Sequence, residues 1–396
     1  MKPLSGIRIA DFTFHAAGPF FTHMLSQLGA ECIKIESRLR PDIFRKPHFI
    51  YGRNSAASFD QVASNKLSIR INLKNPKGIE LAKRVVAASD VAAESFRPGV
   101  IGRIGLGYDA LTAVKPDIIM VSVSASGQSG PDRGFGGYAP LFGAWGGLGY
   151  LTGYADGPPV EMRHVMDHSI GMNAALATMA ALYRRRRTGK GSRVDVSGRE
   201  VAASLVGEAL LQAASGGSPS RMGNEQPGAA PYGLYPTRDD DRWLSIAVTT
   251  DAHWQNFARA IDRLDLLGDP KFATGVGRFA ARQTLDQVAS DWTKTQHGES
   301  AQEILQHAGV PAHLSWNIRD IVQDEHLRAR NMVIDVRDTT GGTRAALSVP
   351  LHFSKSETGM DRGTPELGCG EDYVYGELLG MSARDRAALT DEQVIY

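Results

Sequence analysis

Short apolar runs recurring between helix-length segments constrain this chain more than any other feature. Ile7 to Phe12, Glu31 to Glu36, Leu67 to Asn72, Val91 to Glu94, Asp117 to Ser124 and Gly191 to Ser197 each read as a strand. The segments between them carry helix start and stop signals. Ala16-Ala17-Gly18-Pro19 turns into a helix that runs through Leu28 and is ended by Gly29. Asn75 caps a second helix, with Pro76 at its first position, reaching about Ala88. Strands alternating with helices of this length form βαβ units and a mostly parallel sheet. The pattern predicts an α/β fold.

At 396 residues the chain is too long for one simple core. From Gly216 to Pro227 the composition shifts to Gly, Ser, Pro and Asn, as in a linker. Beyond it, Pro231 to Thr237 and Arg242 to Val248 read as hairpin strands around an Asp-rich turn, and helices follow over about 251–308. This predicts a smaller α+β domain. Thr343 to Phe353 is strand-like again, and a helix near Met381–Leu389 closes the chain.

The formal net charge of +1 gives no nucleic-acid surface, so any basic patch has to be local and built for a particular anion. Two cysteines, Cys32 and Cys369, exclude a disulfide framework and fit a reducing, cytoplasmic setting. Cys32 reads as a buried strand residue and Cys369, between two glycines, as exposed. No apolar stretch reaches the ~18 residues needed to span a bilayer. Nor does a metal-ligand spacing occur. Much of the glycine clusters between Gly127 and Gly157. Gly143-Ala-Trp-Gly-Gly-Leu-Gly149 is not a dinucleotide fingerprint, and Gly127-Gln-Ser-Gly130 falls one residue short of a nucleophile elbow.

Val165-Met-Asp-His-Ser-Ile-Gly171 opens a long segment that ends in Arg184–Arg187 and Gly189. Asp167 is expected where that helix begins. There it is either a capping carboxylate, accepting the free amides of the first turn, or a carboxylate kept ionised to act as a nucleophile. Gly171, Ala174, Ala175, Thr178 and Ala181 form a small-residue stripe suited to tight helix packing. The basic run suits a solvated helix C-terminus.

Five stretches in order carry a resemblance. They are Asp11-Phe-Thr-Phe-His-Ala-Ala-Gly-Pro19, Gly153-Tyr-Ala-Asp-Gly-Pro-Pro159 followed by Asp167, Thr188-Gly-Lys-Gly-Ser-Arg-Val-Asp-Val196, Gly223-Asn-Glu-Gln-Pro227 with Ala230-Pro-Tyr-Gly233, and Thr364-Pro-Glu-Leu-Gly368. Together they resemble the class III, formyl-CoA transferase-like CoA-transferases, over essentially the whole chain. That resemblance implies a Rossmann-like large domain over residues 1–215, a small α+β domain over 216–330, a return to the large domain over 331–396, and an interlocked homodimer. It also implies an exchange of CoA between an acyl-CoA thioester and a free carboxylic acid, with CoA as substrate and carrier and no tightly bound cofactor. Asp167 matches the family's nucleophile. Arg38, Lys74 and Arg103 match CoA-contacting cations, and Ala17, Leu73, Phe96 and Ile104 match its apolar or backbone contacts. His15 and Tyr138 fall in the same ligand-binding stretches.

The departures narrow the chemistry. Ala16, preceded by His15, replaces a glutamine that holds a small acyl group. The family's run of four glycines, a lid over the site, is reduced to Gly223 and Gly228. Ser95 replaces an asparagine. These changes point away from formate and oxalate, toward a larger or differently charged acid. Tyr138 stands where the α-methylacyl-CoA racemases of the family use a histidine; a phenol, with its ordinary pKa near ~10, is a poor proton acceptor at neutral pH. His164 and His168 are the nearest replacements for that base. Arg163 and His164 are candidates to face a second carboxylate, which suggests a dicarboxylic acid such as succinate. An α-carbon racemase and a non-catalytic subunit of a heteromeric transferase are the competing readings.

Overall fold

The computed structural model describes residues 1–46, 57–337 and 342–396, apart from the side chains of Ala57, Arg163 and His164. The expected contact of Arg163 and His164 with a substrate carboxylate therefore lies outside the described residues.

Strand β1 (Arg8–Phe12) leads through an eleven-residue helix α1 (Ala17–Gln27) to β2 (Glu31–Glu36). The chain continues through α2 (Ala57–Ala63), β3 (Leu67–Arg70), α3 (Pro76–Ala87), β4 (Val91–Glu94), α4 (Val100–Arg103), α5 (Tyr108–Val114) and β5 (Ile119–Ser124). Helices α6 (Ala139–Trp145), α7 (Leu148–Leu151) and α8 (Arg163–Thr188) precede β6 (Ser192–Ser197), α9 (Gly198–Ser204) and α10 (Gly207–Ala214). The six strands are parallel and lie in the order β3-β2-β1-β4-β5-β6. This is the doubly wound Rossmann-type order. Its chain reverses direction across the sheet between β1 and β4, and the crevice beyond the carboxyl ends of the strands there is where such folds bind ligands.

Both faces of the sheet are covered, so the strands are apolar on both sides. Ile9, Val91, Ala93, Ile119 and Val121 pack toward α1 and α8. Ala10, Ile33, Ala92 and Met120 pack toward α3 and α5. Helix α3 starts as its sequence dictates: Asn75 accepts the amide of Lys77 (3.0 Å), and Pro76 takes the first position. Gly189, at φ +69°, closes α8 in the left-handed conformation, its amide bonded to the Arg185 carbonyl (2.8 Å).

The chain divides into two compact units. The large one comprises residues 1–149, 161–217 and 324–396, the other 150–160 and 218–323. In the smaller unit β7 (Tyr232–Pro236) and β8 (Trp243–Ala247) pair antiparallel around the Asp-rich turn. Helices α11 (Asp251–Ala260), α12 (Gly275–Ala280), α13 (Arg282–Thr293) and α14 (Gly298–His307) follow, then a third strand, β9 (Ala312–Leu314), on β8. Leu244, Ile246, Phe257, Leu285 and Leu305 form the centre of its core. Gly223 bonds through its amide to the Gly153 carbonyl (2.8 Å), within the same unit. After α15 (Ile318–Gln323) and α16 (Glu325–Ala329), β10 (Val333–Arg337) pairs with β11 (Thr343–Leu347). The closing helix is α17 (Ala383–Asp391). Among the described residues no helix is long and apolar enough to cross a membrane.

Three local expectations are corrected. Helix α8 begins at Arg163, so Asp167 is its fifth residue; Met162 occupies the cap and makes no side-chain cap bond. The glycine-rich stretch contains α6 and α7, whose low intrinsic helix propensity hid them. The strand-like run from Thr343 stops at Leu347, and its partner β10 had gone unrecognised.

Candidate active site

The β1–α1 loop is built from beneath by buried charges. Asp11, at the end of β1, accepts from the Thr13 amide (2.9 Å), from Thr22 Oγ1 (2.8 Å) and from Lys66 Nζ (3.0 Å). Lys66 also donates to the Pro19 carbonyl (2.9 Å) and Thr22 Oγ1 (2.7 Å). Burial alone would raise the Asp11 pKa, but Lys66 and Lys34 hold it below the ordinary carboxylate value. Lys34 donates to the Thr13 carbonyl (2.9 Å) and to Asp42 (2.9 Å). From the switch point, Ser95 Oγ receives the Phe14 amide (2.8 Å) and donates to the Phe14 carbonyl (3.2 Å). A Cβ on Gly18 would lie 2.7 Å from Thr13 Cβ and 3.0 Å from Ser95 Cβ, so only glycine fits.

Held at both ends, the loop carries His15 at φ +67°, a conformation rare for non-glycine residues and common at functional sites. The His15 ring meets Tyr138 edge-on at 5.9 Å between centroids and Phe44 at 6.5 Å. Loss of hydration lowers the His15 pKa; Arg40 and Lys34 lower it further, and Asp42 opposes them.

Helix α8 crosses α1 at Gly171, where a Cβ would lie 2.7 Å from Phe20 Cδ1 and 3.1 Å from the Ala17 carbonyl oxygen. Asp167 is one turn earlier on the same face. It lines a cavity of ≈ 240 Å³ with Ala16, Phe44, Gln61 and Tyr138, and a neighbouring one of ≈ 110 Å³ with Phe14, His15, Ala17 and Tyr138. The helix N-terminus that lines these cavities with Asp167 is that of α1, through Ala16, Ala17 and Gly18. Pro19 has no amide hydrogen and the Phe20 amide bonds to the Ala16 carbonyl (2.8 Å), so Ala17 and Gly18 carry the amides of this end that lack an intrahelical acceptor, and the helix dipole there favours an anion. His168 packs edge-on against Phe20 at 4.3 Å.

His15, Ala17, Tyr138 and Asp167 are therefore brought together around these cavities. Tyr138 is well exposed and Phe96 is buried in the core on the far side of the sheet, its ring 5.9 Å from that of Phe14. Arg38, Leu73, Lys74, Arg103 and Ile104 lie apart from Asp167, on loops after β2 and β3 and at the end of α4, all at the carboxyl edge of the sheet. Arg38, Lys74 and Arg103 are exposed. The Arg38 amide bonds to the Tyr396 carbonyl (2.8 Å) and that of Asn72 to Val394 (2.9 Å), so the chain's final residues brace two of these loops. Arg40 and Glu94 did not stand out in the sequence. The guanidinium of Arg40 covers Phe14 at 5.2 Å and Phe96 at 5.7 Å. Among the described residues there is no cluster of side chains able to hold a metal ion.

The arrangement is a cavity lined by Asp167 at the switch point of a doubly wound sheet, with exposed cations along the same edge. Residues 4–372 match the model of CoA-transferase family III. Over 398 residues the chain is 33% identical to the succinyl-CoA–D-citramalate CoA-transferase of Chloroflexus aurantiacus, covering 100% of this chain and 98% of the relative. It is 30% identical over 406 residues to the beta subunit of the succinyl-CoA–L-malate CoA-transferase of the same organism, covering 99% and 98%. The crystal structure of a CAIB/BAIF family protein from Brucella suis matches with a TM-score of 0.87 at 31% identity, over 95% of this chain and 99% of that one. The chain belongs to CoA-transferase family III, and it is a CoA-transferase.

Proposed function

We propose that the protein moves CoA from a dicarboxylic acyl-CoA to a carboxylic acid by covalent catalysis on Asp167. An Asp167 oxygen attacks the thioester carbonyl; the C–S bond breaks, leaving a mixed anhydride and CoA thiolate. The thiolate attacks the aspartyl carbonyl, releases the donor acid and forms an aspartyl-CoA thioester. The acceptor carboxylate repeats the sequence in reverse, and Asp167 is regenerated. No proton moves in the net exchange, so a tyrosine at position 138 serves as well as any base would. The α1 amides are suited to the tetrahedral oxyanions. Arg38, Lys74 and Arg103 take the CoA phosphates, while His15, Ala17, Leu73, Phe96, Ile104 and Tyr138 contact its pantetheine, adenine or acyl parts. The observation that carries this reading is Asp167 lining a cavity against the N-terminus of α1.

Both relatives are named for succinyl-CoA and a second dicarboxylic acid, which supports that substrate class. The active form is read as a homodimer; Met172, Leu176, Met179 and Tyr183 form an exposed apolar stripe along α8 that a second copy would cover. The test is isotope exchange: succinyl-CoA mixed with labelled succinate should yield labelled succinyl-CoA, and Asp167→Ala should abolish this without unfolding the protein. Exchange surviving in that variant rejects the mechanism. One observation favours a racemase instead: His15 shares a cavity with Asp167, as an acid–base partner would. Solvent deuterium entering the acyl α-carbon would establish that reading, and its absence would remove it.

A further inference from the structure

Among the described residues, two cations around the β2 loop are held by carboxylates, while Arg38 and Arg40 are in no ion pair. Lys34 holds Asp42 at 2.9 Å, and Arg45 holds Glu36 at 2.7 Å. Arg40, between them, has aromatic faces in place of a carboxylate, lying over Phe14 and Phe96. Aromatic faces attract a guanidinium without using up its N–H donors, which are left for an anion. The backbone beneath is fixed too: the Arg40 amide donates to the Ser37 carbonyl (3.1 Å) and Ser37 Oγ (3.2 Å).

Phe14, under Arg40, lines the same cavity as His15 and Asp167. The charge of Arg40 is felt there, since it is among the groups that lower the His15 pKa. From a guanidinium placed over Phe14 and Phe96, the first of which lines the Asp167 cavity, we infer that Arg40 determines specificity by seating the distal carboxylate of a dicarboxylic acyl group. This rests on the reading that Asp167 carries the acyl group. A CoA phosphate is the other anion in the reaction, but the whole pantetheine arm separates it from the thiol. With sulfur at Asp167, the phosphates lie a pantetheine's length away; Lys74 and Arg103 stand on other loops of the carboxyl edge, and Arg38 shares the loop of Arg40. An acyl chain of a few carbons has the opposite property: one end at Asp167 keeps the other within the cavity's surroundings.

Arg40→Met keeps an unbranched side chain on the two rings and removes the charge; Arg40→Lys keeps the charge and loses the fork. Exchange would be measured for succinate with succinyl-CoA and for butyrate with butyryl-CoA, alongside the dissociation constant of free CoA. In R40M the ratio of kcat/KM for succinate to that for butyrate should fall about 10- to 100-fold, with R40K intermediate. CoA affinity should stay within about 3-fold of wild type. An unchanged ratio, or a weakened CoA affinity that accounts for the loss on both acids, overturns the assignment, the latter by making Arg40 a phosphate ligand. Failure of the underlying reading is visible separately, as wild-type protein that performs no exchange with either acid.

Discussion

Glu94 ends β4 inside the protein, 2% exposed, with one carboxylate oxygen accepting the Phe96 amide (2.8 Å) and the other, near Ser122, in no geometrically formed hydrogen bond among the described residues. Burial pushes its pKa up to about 7 from 4.5. The folded protein then holds a proton that the unfolded chain releases, so this contribution to stability is complete below about pH 4.5 and is lost as pH rises through about 7. The whole effect is of order 3 kcal/mol. Glu94→Gln should remove it: the stability of wild type relative to the variant, read from denaturant midpoints, should fall between about pH 4.5 and about pH 7. Parallel pH profiles would contradict the assignment. Lys66 makes the complementary prediction. Lys66→Met leaves Asp11 buried without its ion-pair partner, at a cost of about 3–5 kcal/mol in chemical denaturation, and frees the loop that carries His15; unchanged stability would contradict this. Neither residue is distinctive in sequence, nor is Arg40 beside Arg38. Their significance comes from what packs around them, and that is decided by elements far apart in the chain.

Helix α8 shows how much of an element can be read and where reading stops. Its small-residue stripe and its Gly189 end are local properties, and Gly171, Ala174, Ala175, Thr178 and Ala181 are all buried, as that stripe predicts. The sequence signal for its start lies four residues late, because Arg163 and His164 are poor start signals and Asp167 is a good one. The basic run divides its work. Arg184 bonds to the Gly191 carbonyl (3.1 Å), Arg185 holds Asp90 (2.7 Å), and Arg186 and Arg187 are exposed. The close crossing at Gly171 sets where Asp167 stands over α1, and so Gly171→Ala should act on catalysis as well as stability. A loss of about 1–3 kcal/mol in denaturation is expected, with kcat falling more than CoA affinity. A variant as stable and as fast as wild type would show that the crossing has slack.

At the scale of the molecule, the strands and their parallel pairing were legible from apolar runs alternating with helices, whereas the order β3-β2-β1-β4-β5-β6 is not a property of spacing. The hairpin of the smaller unit was legible from its Asp-rich turn. β9 and β10 were not, because three to five residues completing a sheet carry no periodicity of their own. How the tail is anchored was equally hidden: Gln27 Oε1 accepts the Val349 amide (2.6 Å) across more than three hundred residues. The exposed stripe on α8 belongs to this scale. If a second copy covers it, wild type should sediment as a dimer and Leu176→Glu should shift it toward monomer; a monomeric, active wild type would sink the dimer. The central claim is that one carboxylate carries CoA through the cycle. Incubation with succinyl-CoA and hydroxylamine, then peptide mass spectrometry, should find a single hydroxamate, on Asp167, formed as activity is lost. Activity persisting with Asp167 unmodified, or the adduct on another side chain, would contradict it.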